Sequence, residues 1–295
     1  MKPAPFEYYA PASVQEALDR LDQLGYDGKV LAGGQSLIPA MNFRMARPGA
    51  LVDLNNVSDL FYIKPAPQGG YLIGTMTRDV TVENHPEISQ KFNILNQAFQ
   101  TWAHPQIRNR GTFGGALAHA DPAGQLPGVA VALEFRMKVQ GKSTGERWVN
   151  ADDFFAGPFT TVIEPREMLT EIFMPDLGLR TGTSYQQVAR THGSQFQVAV
   201  AVKLVLDANK RCQKANVVML AVGEKPILSV LASKTLVGQP LTDQNMAEAA
   251  RLVAAKEIDP GTDIHATTEY RRHASEVLVR RALKDALNDA MQRGG

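Results

Sequence analysis

With 295 residues, 44% of them hydrophobic, the chain has enough apolar material for a sizeable core, most simply arranged as two domains. Its 31 basic and 30 acidic residues are interspersed and leave a net charge of +1, so no basic stripe points to nucleic acid or an anionic membrane. The single cysteine, Cys212, excludes an internal disulfide, a four-cysteine zinc site and a self-contained iron–sulfur cluster.

Met1 to Pro5 runs straight into Phe6-Glu7-Tyr8-Tyr9 without the form of a signal peptide. No apolar run reaches the roughly 18 residues of a membrane span, and a cytoplasmic protein is expected. Ser13-Val14-Gln15-Glu16 has the form of a capping box. Val14, Ala17, Leu18, Leu21 and Leu24 mark one helical face, which Gly25 ends. Lys29 to Ala32 reads as a short strand. From Ser36 the spacing of Leu37, Met41 and Met45 is helical, with Pro39 tolerated in the first turn. Leu51 to Leu54 is the next strand, completing a β-α-β unit with Gly33-Gly34 at its corner.

Tyr71 to Thr75 reads as a strand, Thr77 to Thr81 as a helix start, and Ile94 to Ala103 as a helix broken by His104-Pro105. Ala116 to His119 is small and apolar, as if packed under a ligand. A helix carrying Leu126, Val129, Ala130 and Leu133 is expected to start at Asp121-Pro122. Strands are expected over Arg136 to Gln140 and Met168 to Phe173, with Asp152 capping a turn that holds Phe154 and Phe155. Pro175-Asp176-Leu177-Gly178 marks a boundary. It divides the chain into 1–177, with parts 1–58 and 59–177, and 178–295. Beyond it come strands at Ser184 to Ala189, Val198 to Leu206 and Ala215 to Val222. Helical faces follow at Leu228, Leu231 and Leu236 and at Ala247, Ala250, Val253 and Ala254. A last helix, Glu269 to Met291, buries Val277, Leu278, Ala282 and Leu283. Strands followed by helices make this part α+β.

Two Gly-Gly turns carry the chemistry. Gly33-Gly34 follows an apolar run and leads into Gln35, Ser36 and Leu37; Arg108 to Gly115 holds Gly111, Thr112, Phe113, Gly114 and Gly115. Glycines let backbone approach a ligand closely, and amides near helix N-termini suit a pyrophosphate. There is no G-x-G-x-x-G and no G-x-x-x-x-G-K-[ST], which disfavours Rossmann and P-loop binding. On the residues alone a tight bend remains the alternative for Gly111, Gly114 and Gly115. The six histidines show no pair at metal-ligand spacing, and Asp152-Asp153 reads as a helix cap. Cys212, beside Arg211 and Lys214, is either a thiol of lowered pKa or part of a solvated turn.

Ala32 to Pro39 followed by Leu51-Val52-Asp53-Leu54 resembles the first flavin motif of the medium subunits of the molybdenum hydroxylases, the xanthine oxidase and carbon monoxide dehydrogenase family. Ile107 to Leu117 resembles their second, and Ala266-Thr267-Thr268-Glu269-Tyr270-Arg271-Arg272 their last-helix signature. The likeness spans the chain. His119-Ala120-Asp121-Pro122-Ala123 is similar to the carbon monoxide dehydrogenase and N-heterocycle hydroxylase medium chains. The resemblance implies an α+β protein: a two-part FAD-binding (PCMH-type) α/β domain, then a smaller α+β domain with a three- to four-stranded antiparallel sheet. It implies FAD in this chain, [2Fe–2S] clusters on a small iron–sulfur subunit and molybdopterin on a large subunit, assembled as a dimer of heterotrimers.

Carried over by residue, it puts Ala32, Gly33, Gly34, Gln35, Ser36 and Leu37, with Gly111, Thr112, Phe113, Gly114 and Gly115, around the pyrophosphate and ribityl chain. Asp121 lies toward the adenosine side, and Leu169 joins the cofactor contacts. Phe196, in Arg190 to Phe196, covers one flavin face; on its residues alone it reads as a core aromatic before a strand. Three positions depart from the pattern. Ala116 replaces an asparagine, Gln125 an acidic residue expected near the ribose, and Gln187 a lysine that would stabilise negative charge on reduced flavin. No catalytic or metal-ligating residue is assigned. The expected role is electron transfer from the partner's clusters through FAD to an external acceptor, for a substrate such as an N-heterocycle. The alternatives are a stand-alone FAD-dependent oxidoreductase and a non-redox scaffold holding ADP or CoA.

Overall fold

The computed structural model describes residues 1–294. Ser13 accepts from the Glu16 amide, and Glu16 reaches back to the Ala12 amide, so the capping box starts α1 (Val14–Leu24). Gly25, at φ 54, ends it. Strands β1 (Glu7–Tyr9), β2 (Gly28–Leu31) and β3 (Ala50–Asp53) form a parallel sheet in the order β1-β3-β2. Between β2 and β3 lies α2 (Leu37–Asn42). This helix is shorter than the Leu37–Met41–Met45 spacing predicts. Arg44 takes φ 58, the Met45 and Ala46 amides fold back to the Ala40 carbonyl, and Met45 is 84% exposed.

Next come β4 (Ile63–Pro65) and β5 (Tyr71–Gly74), then the short helices α3 (Asp79–Glu83), α4 (Pro86–Lys91), α5 (Asn93–Thr101) and α6 (Pro105–Arg108). Helices α7 (Phe113–His119) and α8 (Gln125–Leu133) follow, then β6 (Arg136–Gly141), β7 (Gly145–Asn150) and α9 (Ala151–Phe154). A small hairpin, β8 (Phe155–Gly157) and β9 (Thr160–Thr161), precedes the fully buried β10 (Glu167–Met174). In the antiparallel sheet β4-β5-β10-β6-β7 the last-made strand sits in the middle.

Three expectations are corrected here. Thr112 caps a helix that runs through Gly114 and Gly115. The next helix starts at Gln125, because the Asp121 carboxylate turns onto the Ala123 amide in a local turn of its own. Asp152 lies inside α9, whose cap position is Asn150.

The remaining chain forms β11 (Thr181–Ala189), β12 (Phe196–Leu206), β13 (Cys212–Leu220) and β14 (Ile227–Leu228), an antiparallel sheet in sequence order. Helices α10 (Val230–Leu236), α11 (Asp243–Leu252) and α12 (Thr268–Gln292) follow. Both faces of this sheet are covered. Along β12, Val198, Val200 and Val202 pack under the C-terminal helices, whereas Ala199 and Ala201 join the core that contains Phe99, Phe113, Leu126 and Leu169. Val277, expected in the core, is only half-buried. Asn216 donates to the Ala132 carbonyl at 2.9 Å, and Lys203 and Lys214 both reach Glu134, so α8 is fastened to β12 and β13.

Candidate cofactor site

The two glycine turns touch. A Cβ on Gly33 would run into the Arg110 carbonyl and stand 2.8 Å from the Gly111 Cα, so only glycine lets the loops lie this close. Side chains outside both loops strap them together. Asn55 donates to the Ala32 carbonyl at 2.9 Å, and its own carbonyl accepts from Arg78 Nη2 at 2.6 Å. Arg78 Nη1 donates to the Arg110 carbonyl at 2.6 Å. One guanidinium thus spans from the first loop to the second, using the two-pronged geometry that lysine lacks.

The loops differ in what they offer. In the first, the amides of Gly34, Gln35, Ser36 and Leu37 have no acceptor among the described residues. Gly34 has φ +76, and Ser36, at the cap position of α2, accepts no side-chain capping bond. In the second loop most amides are spent, that of Thr112 alone having no acceptor among the described residues. Phe113 donates to Thr77, Gly114 to Thr75, Gly115 to the Thr112 hydroxyl and Ala116 to the Thr112 carbonyl. The open amides form a nest suited to an anion. They are the observation on which FAD fits the chain: a diphosphate finds donors that the protein leaves unpaired.

A cleft of about 200 Å³ continues from this nest, lined among others by Ser36, Ala116, His119, Asp121, Gln125 and Ser194. Gly193, Ser194 and Gln195 line its far side, with Gly193 so close to His104 and the Ala103 carbonyl that a Cβ would crowd both. A larger hollow of about 440 Å³, between Arg190, Gln197 and Tyr270, touches neither glycine loop.

The residues named from sequence divide into groups. Ala32 to Leu37 and Gly111 to Gly115 come together, and Asp121 and Gln125 line the adjoining cleft. Gln187 stands behind Gln125, its carbonyl accepting from Gln125 Nε2 at 3.3 Å and from the Tyr185 hydroxyl at 2.8 Å. Phe113, Leu169 and Phe196 bury their side chains in the core, at 0%, 4% and 4% exposure, so their rings and branches are turned away from solvent. Cys212 is buried too, and burial pushes its thiol up to about 11, against the lowered pKa that its basic neighbours suggested.

Sequence reasoning missed Arg78, Asn55, Trp102 and His119. The straps of Arg78 and Asn55 reach 23 to 32 residues along the chain, a separation no local motif reveals. Trp102 stacks on Phe99 with ring centroids 5.1 Å apart and lines the cleft. His119 packs against Phe159, and burial lowers its pKa, which keeps the imidazole neutral near pH 7. Among the described residues no group of histidine, cysteine or carboxylate side chains is arranged to hold a metal, and no helix is long and apolar enough to cross a membrane.

The chain is similar to known proteins along its whole length. The family described as FAD binding domain in molybdopterin dehydrogenase matches residues 4–177, and the CO dehydrogenase flavoprotein C-terminal domain matches 183–286. The 6-hydroxypseudooxynicotine dehydrogenase complex subunit alpha of Paenarthrobacter nicotinovorans is 37% identical, covering 98% of this chain and 97% of the relative. The caffeine dehydrogenase subunit beta of Pseudomonas sp. (strain CBB1) is 33% identical, covering 97% and 96%. Among solved structures, carbon monoxide dehydrogenase from Hydrogenophaga pseudoflava superposes with a TM-score of 0.93 at 33% identity, covering 98% of this chain and 99% of that one.

Proposed function

The chain belongs to the FAD-binding flavoprotein subunits of the molybdopterin dehydrogenases, and from that premise we propose that it is the electron-exit subunit of a three-component oxidoreductase. It takes electrons from [2Fe–2S] clusters on a small partner and hands them to an external acceptor, while a large molybdopterin subunit oxidises the substrate. When bound, FAD supplies the redox chemistry; this chain's residues bind it, orient it and set its surroundings. The observation that carries the reading is the open-amide nest at Gly34–Leu37, held against a second glycine loop by Arg78 and Asn55. The chain's one cysteine is buried, so the clusters must sit on another polypeptide.

Within this proposal Gly34 to Leu37 take the diphosphate, with Thr112 supporting them. Asp121 and Gln125 face the adenosine side, and contacts from Leu169 and Phe113 run through main chain. The division at 177/178, a cytoplasmic location and a dimer of heterotrimers belong to the same reading. An N-heterocycle as substrate is supported by relatives named for 6-hydroxypseudooxynicotine and caffeine, and the large subunit chooses it.

The test is reconstitution. FAD in this chain should be reduced by substrate only when both partner subunits are present, and direct reduction of the isolated chain by substrate would favour a stand-alone oxidoreductase. Neither glycine loop contains histidine or cysteine, so FAD should be noncovalent. Acid precipitation should then release the yellow colour into the supernatant, and colour retained in the pellet would contradict it.

A further inference from the structure

Beneath the second glycine loop lies a carboxyl group to which nothing above gives a role. Asp79 opens α3 and is 3% exposed, and its Oδ1 is buried without a hydrogen-bond partner among the described residues. Its Oδ2 occupies the space where a Cβ of Gly111 would be, so the acid is in direct contact with the loop's first glycine. Its amide donates to the Gly111 carbonyl at 3.1 Å. Backbone and side chain of one residue therefore both bear on the loop.

Cations stand nearby but are committed elsewhere. Arg78 spends its guanidinium on Arg110 and Asn55. Arg108, on α6, is paired with Glu83 at 2.8 Å and donates to the Trp102 carbonyl. Glu83, on α3 itself, adds negative charge. On α4, Glu87 and Lys91 turn to Tyr71, and His85 packs on the same ring. Helix α5 brings no ionisable side chain to this side. A carboxylate left unpaired in such a place is strongly disfavoured, and a neutral acid far less so.

We propose that Asp79 is a positioning residue of the second glycine loop that works as the neutral acid, so that retention of the dinucleotide is coupled to one proton held beneath the loop. The inference rests on the reading that the loops hold the diphosphate of FAD. Ionised, Asp79 would place a negative charge under a site built for an anion. It would also compete for the guanidinium of Arg78, the residue just before it and the strap between the loops. Burial pushes the Asp79 pKa up to about 8, so the proton is present at neutral pH and leaves as pH rises through that value. A bound diphosphate holds the proton more tightly still. By linkage, FAD affinity must then fall as pH rises above the pKa of the empty site, by at most about tenfold per pH unit for one proton.

The experiment is an FAD dissociation constant measured by flavin fluorescence on the full chain, from neutral pH to just below the deprotonation of the flavin ring itself. Wild type is compared with Asp79→Asn, a neutral residue of the same shape. Wild type should be flat near neutrality and weaken severalfold to tenfold per unit above about pH 8. Asp79→Asn should bind within about twofold of wild type at pH 7 and stay flat, a pattern that a merely space-filling role would not give. Parallel profiles overturn the proposal, as does loss of FAD from a folded Asp79→Asn protein at pH 7. Should the variant fail to fold, infrared difference spectra of wild type decide. A protonated-carboxyl band that titrates near pH 8 and moves upward with FAD supports the proposal, and its absence overturns it. Failure of wild type to take up FAD at pH 7 is a different result, which removes the FAD reading itself.

Discussion

The two glycine loops look alike in sequence and do opposite work. Gly33 to Leu37 ends a strand, begins a helix and keeps four amides unpaired on a partly exposed turn. Gly111 to Gly115 is largely buried, and the amides of Phe113, Gly114 and Gly115 are taken by Thr77, Thr75 and Thr112. The first is a donor surface and the second is the wall it leans on. A Gly-Gly pair therefore does not by itself mean that backbone meets ligand. In the second loop most of the backbone meets backbone, and its contact with Gly33 helps to hold the first loop in place.

Substitution of one glycine in each loop separates these roles most sharply. A side chain at Gly114 would meet the Thr75 side chain and stand 2.8 Å from the Thr75 Cα, in the middle of the core. Gly114→Val should cost at least the ~1–3 kcal/mol of ordinary overpacking, because backbone cannot step aside, and the protein should lose its cooperative unfolding transition. Gly34 has only the flexible side chains of Ile38 and Leu31 within reach, 3.2 and 3.4 Å from its Cβ position, but a φ of +76. Gly34→Val should strain the loop by about 1–2 kcal/mol, keep the fold and release FAD. Circular dichroism with flavin content checks both. A folded, fully loaded Gly114→Val protein would break the comparison outright.

A smaller effect is expected at the strap. Arg78→Met keeps the bulk and removes the bonds to Asn55 and Arg110. Two charge-assisted hydrogen bonds of about 1.5–3 kcal/mol each are lost, offset in part by water. FAD should bind roughly tenfold to a hundredfold more weakly at unchanged far-UV dichroism, with Arg78→Lys between the two proteins. Equal affinity in all three would mean that the loops hold their places without Arg78.

The comparison also shows why only part of the molecule is legible in the sequence. The capping box at Ser13, the stop at Gly25 and the Gly33-Gly34 corner are local, and each forms where its residues predict. Helix α7 was not legible, because two of its seven residues are glycines and its helicity comes from the Thr112 cap and from contact with Thr75. Met45 fitted a helical period that a left-handed Arg44 cuts short. The sheet order β4-β5-β10-β6-β7 sets β5 beside β10, strands far apart in the chain, which no periodicity reports. The flavin motifs could be read as residues. Which of their amides are free could not, since that depends on acceptors at Thr75 and Thr77 far up the chain.

The smallest expected effect lies at Gln187, behind the cleft wall. Its carbonyl takes the Tyr185 hydroxyl and the Gln125 amide, so the position is wired to the cleft through one neutral side chain. Gln187→Lys would exchange that acceptor for a cation and leave the Tyr185 hydroxyl to find another partner. A unit charge ~5 Å from the flavin at an effective dielectric of ~20 is worth on the order of 3 kcal/mol before screening. Solvent and reorganisation reduce this to about 1 kcal/mol, or roughly 20 mV for a two-electron couple. Because the cation favours the anionic reduced flavin, the midpoint potential should rise by a few tens of millivolts at most, with FAD stoichiometry unchanged. Spectroelectrochemical titration reads the sign directly. No shift, or a fall, would show that charge at this position does not reach the flavin, and that Gln125 and Gln187 brace the cleft wall without tuning what it holds.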